Sequence, residues 1–522
     1  MTNDIRFPTV SRRGLLAAAA GLGASALTPG LIGRAFAQAV DKPKRGGVLK
    51  LGIGGGSTTD ILDPRMLTDW VPVNQAFMLM NGLVEIDQNN KAIPELFESW
   101  EAFPGAAEWV FNVRQGVVFH NGKTLTVEDV IYSINLHRGK TTSAARAIAE
   151  QITDVEKASD KQVRIKLKSG NADLPYILSD YHFLVVPDGF TDWVRPIGTG
   201  AFKFESYEPG VRSRFVRNEN YWKPNCGNVD AVEVIVINDI AARTNALMSG
   251  QVHAINRVDF KTVDLLKRNR NLQVVQSAGG QHFTFLMDCT QGPFTDNNVR
   301  LAIKYAIDRK QMLQTALQGY GRLGNDHPIP QSNPFYNDTL PQRAFDPEKA
   351  KFYLKKAGLD SLKVELSASD AAFAGAVDAA AIFRTTAAKS GIDVVIKREA
   401  SDGYWDNVWM KAPFSMGYWG GRPTADQMLS IAYASDSAQN DTHWKNEQFD
   451  KILREARAIL DPAKRKEMYA TLQQMISDEG GAMIPMFGDY LDAVSVKLKG
   501  VTPHPMFNLM GARMAERVWL EG

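Results

Sequence analysis

Gly198-Thr199-Gly200-Ala201-Phe202-Lys203-Phe204, followed by Arg217-Asn218-Glu219-Asn220-Tyr221-Trp222, opens a second region of the chain. That region continues through a strand over 232–237 and a helix over 241–248 that Gly250 ends. Phe283 to Met287 reads as a further apolar strand. Val299, Ile303, Ala306 and Ile307 then mark one helix face, with Gly319 as C-cap. Upstream, 47–53 alternates as a strand and leads into a glycine and hydroxyl loop, 54–59. Residues 73–83 suit a helix, 109–113 and 117–119 suit strands around Arg114-Gln115-Gly116, and 163–167 suits another strand. Thr126 caps a helix with Glu128 and Asp129 in its first turn. Downstream, strands at 364–366 and 394–396 flank an Ala-rich helix over 371–389. Helices over 447–460 and 462–478 follow, with Asp461 as cap and Pro462 in the first turn. Strands alternating with helices read as α/β.

The N-terminus is an address. Ser11-Arg12-Arg13-Gly14-Leu15-Leu16, a mild Ala/Gly run and Ala35-Phe36-Ala37 have the form of a twin-arginine signal peptide cleaved after Ala37. This places the mature chain in the periplasm and makes the twin-arginine translocase its first partner. What remains exceeds what one core usually supports, so two or three domains are expected. An apolar fraction of 44% and a charged fraction of 23% are ordinary for a globular chain. A net charge of +2 argues against nucleic-acid binding through a basic field. No later stretch is apolar enough to span a membrane. Cys226 and Cys289 leave two readings open, a disulfide or two buried thiols.

The chemistry-bearing motifs are missing. Gly52-Ile53-Gly54-Gly55-Gly56-Ser57 lacks the last glycine of a dinucleotide fingerprint, and Val117 stands where a phosphate loop ending at Asn121-Gly122-Lys123-Thr124 needs glycine. No nucleophile elbow, no C-x-x-C and no pair of histidines four apart on a helix occurs. No enzyme, resident metal or cofactor is expected.

Three segments, taken in order, carry a resemblance. They are Phe119 to Lys123 with Leu125-Thr126-Val127-Glu128-Asp129-Val130; the opening stretch with its Asn220-Tyr221-Trp222; and Pro293-Phe294 with Val299-Arg300-Leu301-Ala302 and Ala306-Ile307-Asp308-Arg309. Pro94-Glu95-Leu96 before Ser99-Trp100-Glu101 adds to them. Together they resemble the dipeptide/oligopeptide-binding family of extracytoplasmic solute-binding proteins, the capture subunits of ATP-driven (ABC) importers, over about Gly46 to Leu498. The resemblance implies a periplasmic-binding-protein fold of two lobes plus an extra domain. Lobe I would comprise 40–66, 191–282 and 491–522, the extra domain 67–190 and lobe II 283–490. Ligand would lie between lobes that close about hinges near His282-Phe283 and Leu491. A monomer working with membrane permease subunits is expected. Presenting ligand for chemosensing, or capturing a metal chelate or haem, are the competing roles.

In peptide-binding relatives an aromatic–Trp pair is followed, three residues after the Trp, by an aspartate that grips the peptide ammonium. Here the pair is Tyr418-Trp419 and the third residue is Arg422. A guanidinium repels an ammonium and suits a carboxylate, phosphate or sulfonate. The ligand is therefore expected to be small, polar and anionic, from peptides through amino-acid conjugates to opine-like compounds. The alternative for Arg422 is an ion pair with a neighbouring carboxylate. Trp419 and Tyr418 are expected to line the cleft, and Gly420 and Gly421 to let backbone approach ligand. Tyr404 and Trp405 offer an aromatic wall, with packing as the alternative. Ser57 and Thr58 follow the first strand, where relatives touch ligand; a simple turn is the other reading. Asp426 is a displaced partner for an amine, and His282 a hinge-side candidate whose alternative is structural.

Overall fold

Leu49, Leu51 and Ile53 are wholly shielded from water, because the strand that carries them, Val48–Ile53, lies mid-sheet. The computed structural model describes residues 42–373 and 375–521; the twin-arginine leader and its cleavage site lie outside them. Val48–Ile53 runs parallel to Ala231–Val236, with Val48 opposite Ala231 and Ile53 opposite Val236, and parallel to Ala254–Ile255 on its other side. The sheet has seven strands, ordered Leu272–Ser277, Tyr490–Ser495, Ala254–Ile255, Val48–Ile53, Ala231–Val236, Arg212–Arg217 and Phe202–Glu208. We call this sheet and its helices the first lobe. A six-stranded sheet forms the second, ordered Gly321–Leu323, Ala482–Gly488, His282–Met287, Phe414–Trp419, Leu362–Ala368 and Ile392–Arg398. A separate antiparallel sheet, Phe97–Ala102, Glu108–Val113, Gln162–Leu167 and Ile152–Ser159, packs its own core under the helix Val127–Asn135. The fold is mixed α/β.

The opening stretch is a junction where side chains would not fit. A Cβ at Gly198 would stand 2.3 Å from the Leu79 carbonyl oxygen, and one at Gly200 would stand 2.3 Å from that of Met78. Both carbonyls end the helix Trp70–Leu79, so only glycine lets the chain pass this close. The rest of the stretch ties into one buried polar group. Thr199 Oγ1 and the Trp222 indole donate to Asn81 Oδ1 at 2.9 and 3.0 Å, and Asn81 Nδ2 donates to Glu95. Glu95 also pairs with Arg513 at 2.7 Å and Lys223 at 2.9 Å, while the Tyr221 hydroxyl donates to Glu516. Burial would raise the Glu95 pKa, but Arg513 and Lys223 hold it at about 2. These motif residues thus build the joint between the first lobe and the four-stranded unit.

Some elements differ from expectation. Val117 and Phe119 are buried, but the run 117–119 is no strand; Val118 alone bridges, to Thr124, between left-handed turns at Gly116 and Gly122. The helix expected over 73–83 starts three residues earlier, where the Asp69 side chain accepts from the Trp70 N–H, and ends at Leu79. It packs into the core of the seven-stranded sheet, whereas the four-stranded unit's core begins at Leu83. The face from Val299 to Ile307 divides into Asn297–Tyr305 and Arg309–Ala316, because Asp308 caps a new helix. The Ala-rich helix is Ala376–Ala388. Cys226 and Cys289 are free thiols. Among the described residues no helix is long and apolar enough to cross a membrane.

The chain passes between lobes twice, from Ser277 to His282 and from Gly488 to Tyr490. Arg322 braces both passages. It donates to the Gly279 carbonyl at 3.0 Å and pairs with Asp489 at 2.6 Å, and Gln276 donates to Asp489 from the first lobe. Away from the hinge, the four-stranded unit touches the second lobe through Asp173–Arg465 at 2.7 Å, Ala172 N–H to the Arg457 carbonyl, and Asn90 to the Pro423 carbonyl.

Candidate functional site

Phe414–Trp419 pairs antiparallel with His282–Met287, placing Trp419 opposite His282 at the first passage. The strand then delivers Gly420, Gly421 and Arg422 to the hinge side of the second lobe. A Cβ on Gly421 would stand 2.9 Å from the Gly280 Cα, so its close backbone approach is to the passage itself. Arg422 Nη1 donates to its own neighbours, the Gly420 and Gly421 carbonyls, at 3.2 and 3.4 Å, and its guanidinium carbon lies 5.9 Å from the centre of the Trp419 ring. Among the described residues no carboxylate lies within ion-pair distance of it. Burial lowers its pKa, while Tyr181 and Asp180 of the facing side and Tyr490 at the second passage act in the other direction.

Trp419 is nearly buried, and its indole donates to Asp441 Oδ2 at 2.9 Å. Tyr418 points the other way, as alternation along a strand requires, and is 43% exposed. Trp405 packs edge-on against it at 5.7 Å and is itself partly exposed, so these two rings share one surface. The other predicted positions are structural. Tyr404 is buried in the second lobe and donates its hydroxyl to the Met416 carbonyl at 2.7 Å, which removes it from any ligand wall. Asp426 is buried against Arg457, at 3.0 and 3.1 Å to Nε, so it is no free amine partner. Ser57 and Thr58 form a turn: Ser57 N–H donates to Asp60, Ser57 Oγ meets Thr59 Oγ1, and the Thr58 backbone packs on the hairpin turn at Gly210. His282 is buried, with Nδ1 3.1 Å from the Gly280 carbonyl. Burial, reinforced by Arg422, brings its pKa to about 4 against that bond, so it is neutral at physiological pH.

The first lobe contributes residues that sequence reading missed. Arg257 follows the short strand Ala254–Ile255 in a left-handed conformation, φ 50°, which costs a non-glycine residue about 1 kcal/mol. The buried Arg243 clamps that bend, donating to the carbonyls of Asn256 and Arg257, and Asn256 bonds both N–H and C=O of Gly54. Strain held this firmly aims the Arg257 side chain. Its guanidinium is 3.7 Å from Asp69 and 5.7 Å from the centre of Trp70. Water reaches it, yet protein surrounds it on several sides, as in a cleft; the lowering of its pKa by burial is opposed by Asp69, Tyr418 and Tyr490. Trp70 packs on Phe507 at 4.7 Å and Phe507 on Tyr181 at 6.1 Å.

Tyr490 neighbours the segments that carry both arginines: Val258 N–H donates to the Leu491 carbonyl at 2.9 Å, and Gly280 of the first passage abuts Gly421. The Tyr490 ring lies against Gly279, where a Cβ would be 2.8 Å away, and both guanidiniums act on its hydroxyl. Among the described residues the hydroxyls of Tyr181, Tyr418 and Tyr490 have no protein hydrogen-bond partner. The two guanidiniums and the phenols of Tyr181, Tyr418 and Tyr490, with Trp70 and Phe507 beside them, thus gather near the two passages between the sheets. Such a place suits an anionic solute. No cluster of three metal-ligating side chains occurs among the described residues.

Comparison with known proteins agrees with this architecture. The model for the bacterial extracellular solute-binding proteins, family 5 Middle, matches residues 91–441. Di/tripeptide-binding protein 1 of Pseudomonas aeruginosa is 24% identical over 499 residues, covering 87% of this chain and 91% of its own. The periplasmic binding protein DppA of Helicobacter pylori, solved with the peptide STSA, matches 92% of this chain and 99% of its own at 22% identity and TM-score 0.73. AgaA of A. tumefaciens R10, solved with agropinic acid, matches 91% of this chain and 99% of its own at 25% identity and TM-score 0.72. The chain belongs to family 5 of the bacterial extracellular solute-binding proteins.

Proposed function

We propose that this chain is the solute-binding subunit of an ABC importer, exported by the twin-arginine route to the periplasm. It captures a small polar ligand bearing an anionic group between its lobes and delivers it to the permease by hinge closure. It performs no chemistry on the ligand. One observation supports the reading of the ligand: Arg422, where peptide-binding relatives hold an aspartate, has no carboxylate within ion-pair distance among the described residues. Leaving such a charge uncompensated is unfavourable, and an anionic solute compensates it. The relatives span different ligands, a tetrapeptide for DppA and agropinic acid for AgaA, so the frame accommodates more than peptides. Closure is driven by the ligand's higher affinity for the closed state.

Mass spectrometry of small molecules released from protein purified from its own host tests this, followed by calorimetry with the released compound. Arg422→Ala is expected to weaken binding about 10-fold or more. Unchanged affinity would remove the anion contact from the reading.

A further inference from the structure

We propose that the cleft is built for a ligand with two separate anionic groups, one held by Arg257 of the first lobe and the other by Arg422 of the second. Tyr490, beside the segments that carry both arginines, offers its hydroxyl as a further donor. This rests on the reading of the cleft as the solute site, and narrows it from an anionic ligand to a dianionic one.

The two arginines are held in independent settings. Arg257 comes from a strained bend locked by Arg243 and Asn256, over Trp70. Arg422 comes off the strand Phe414–Trp419, over Trp419. The carboxylates nearby are engaged. Asp180 accepts from the His182 N–H and imidazole at 3.0 and 2.6 Å. Asp69 accepts the Trp70 N–H at 2.7 Å and reaches Arg257 only at 3.7 Å. The free hydroxyls of Tyr181, Tyr418 and Tyr490 serve as donors to carboxylate oxygens. A free ammonium meets two cations, and the half-exposed acid nearby, Asp69, already faces Arg257, so zwitterionic peptides are disfavoured. Because the arginines belong to different lobes, a dianion fastens both lobes at once, while a monoanion fastens one. The second charge therefore acts on closure and not only on contact.

The test uses the mature chain and the α,ω-dicarboxylates from succinate to suberate, each compared with its mono-amide, by calorimetry. At least one diacid should bind about 10-fold or more tighter than its mono-amide. Arg257→Gln and Arg422→Gln, checked for folding by circular dichroism, should each reduce the diacid to the affinity of the mono-amide and leave the mono-amide little changed in one of the two. Equal binding of diacid and mono-amide, insensitivity to Arg257→Gln, or no binding by any diacid would overturn the proposal. Binding of the dipeptide Ala-Phe with the diacids silent would overturn it while leaving solute capture standing. Silence of every probe, with nothing released from host-purified protein, would count against both.

Discussion

Asp441 is a buried carboxyl whose partners are two indole N–H groups, Trp419 at 2.9 Å and Trp409 at 3.4 Å. Burial drives its pKa up to about 7, with the indole bonds acting the other way. Above its ordinary value of 3.8 the unfolded chain has released a proton that the folded chain keeps. Stability contributed here is therefore full below about 4 and is lost as pH rises toward 7. Asp441→Asn should match wild type near pH 4 and exceed it by about 1–3 kcal/mol or more at pH 8 in urea unfolding. A difference that does not vary with pH would mean that the carboxyl ionises normally. The same side chain sets the angle of Trp419 beneath Arg422, so one buried residue links stability to the site. In the proposed site, Arg422 is legible because it stands at a fixed distance after Tyr418-Trp419. Arg257 is not: its strand, Ala254–Ile255, is two residues long, and nothing in Asn256-Arg257-Val258 announces a left-handed bend. Tyr490 adjoins Leu491, where the sequence places a hinge, but nothing in Asp489-Tyr490-Leu491 marks the tyrosine as a site residue. Tyr404 and Asp426 were misjudged because proximity in sequence to a cleft strand does not say which way a helix turns them.

Elements with strong periodicity or clear caps are readable in the sequence, including Val48–Ile53, the helix Val127–Asn135, the helix Pro462–Glu479 with its Asp461 cap, and the strands about the Ala-rich helix. Hydrophobicity alone misled at 117–119, where buried apolar side chains sit on a looped backbone. The motif stretch at Gly198 was legible as a boundary but not in its purpose, since its partners Asn81, Glu95 and Glu516 lie far away in sequence. That purpose is testable. Glu95 accepts from Arg513, Lys223 and Asn81 in a site closed to water. Glu95→Gln leaves Arg513 and Lys223 to share Glu85 and Glu516, and should cost about 3 kcal/mol in urea unfolding at pH 7. Because the pKa of Glu95 is depressed to about 2, its contribution is present above about 4.5 and is lost as pH falls toward 2. The gap between variant and wild type should narrow over that window. A constant gap would assign the loss to packing.

Across the whole molecule, the proposed closure makes the balance between open and closed forms depend on contacts between the lobes away from the two passages. Far from the hinge, Asp173 of the four-stranded unit and Arg465 of the second lobe pair at 2.7 Å with both side chains almost wholly buried. The Ala172 N–H bond to the Arg457 carbonyl lies beside them. Opening returns both charges to water, so the pair favours closure by less than its Coulomb attraction. Removing one partner is different, because the closed form then buries a lone charge. Asp173→Asn should therefore populate the open form: the radius of gyration of the ligand-free protein, by solution X-ray scattering, should rise. Ligand affinity should fall about 5- to 100-fold through lost closed population, with the cleft residues untouched. Exchanging the charges, Asp173→Arg with Arg465→Asp, should recover much of both. If scattering is unchanged and affinity holds in Asp173→Asn, the pair does not govern closure, and the contacts of Arg322 with Asp489 and Gly279 at the two passages become the next to test.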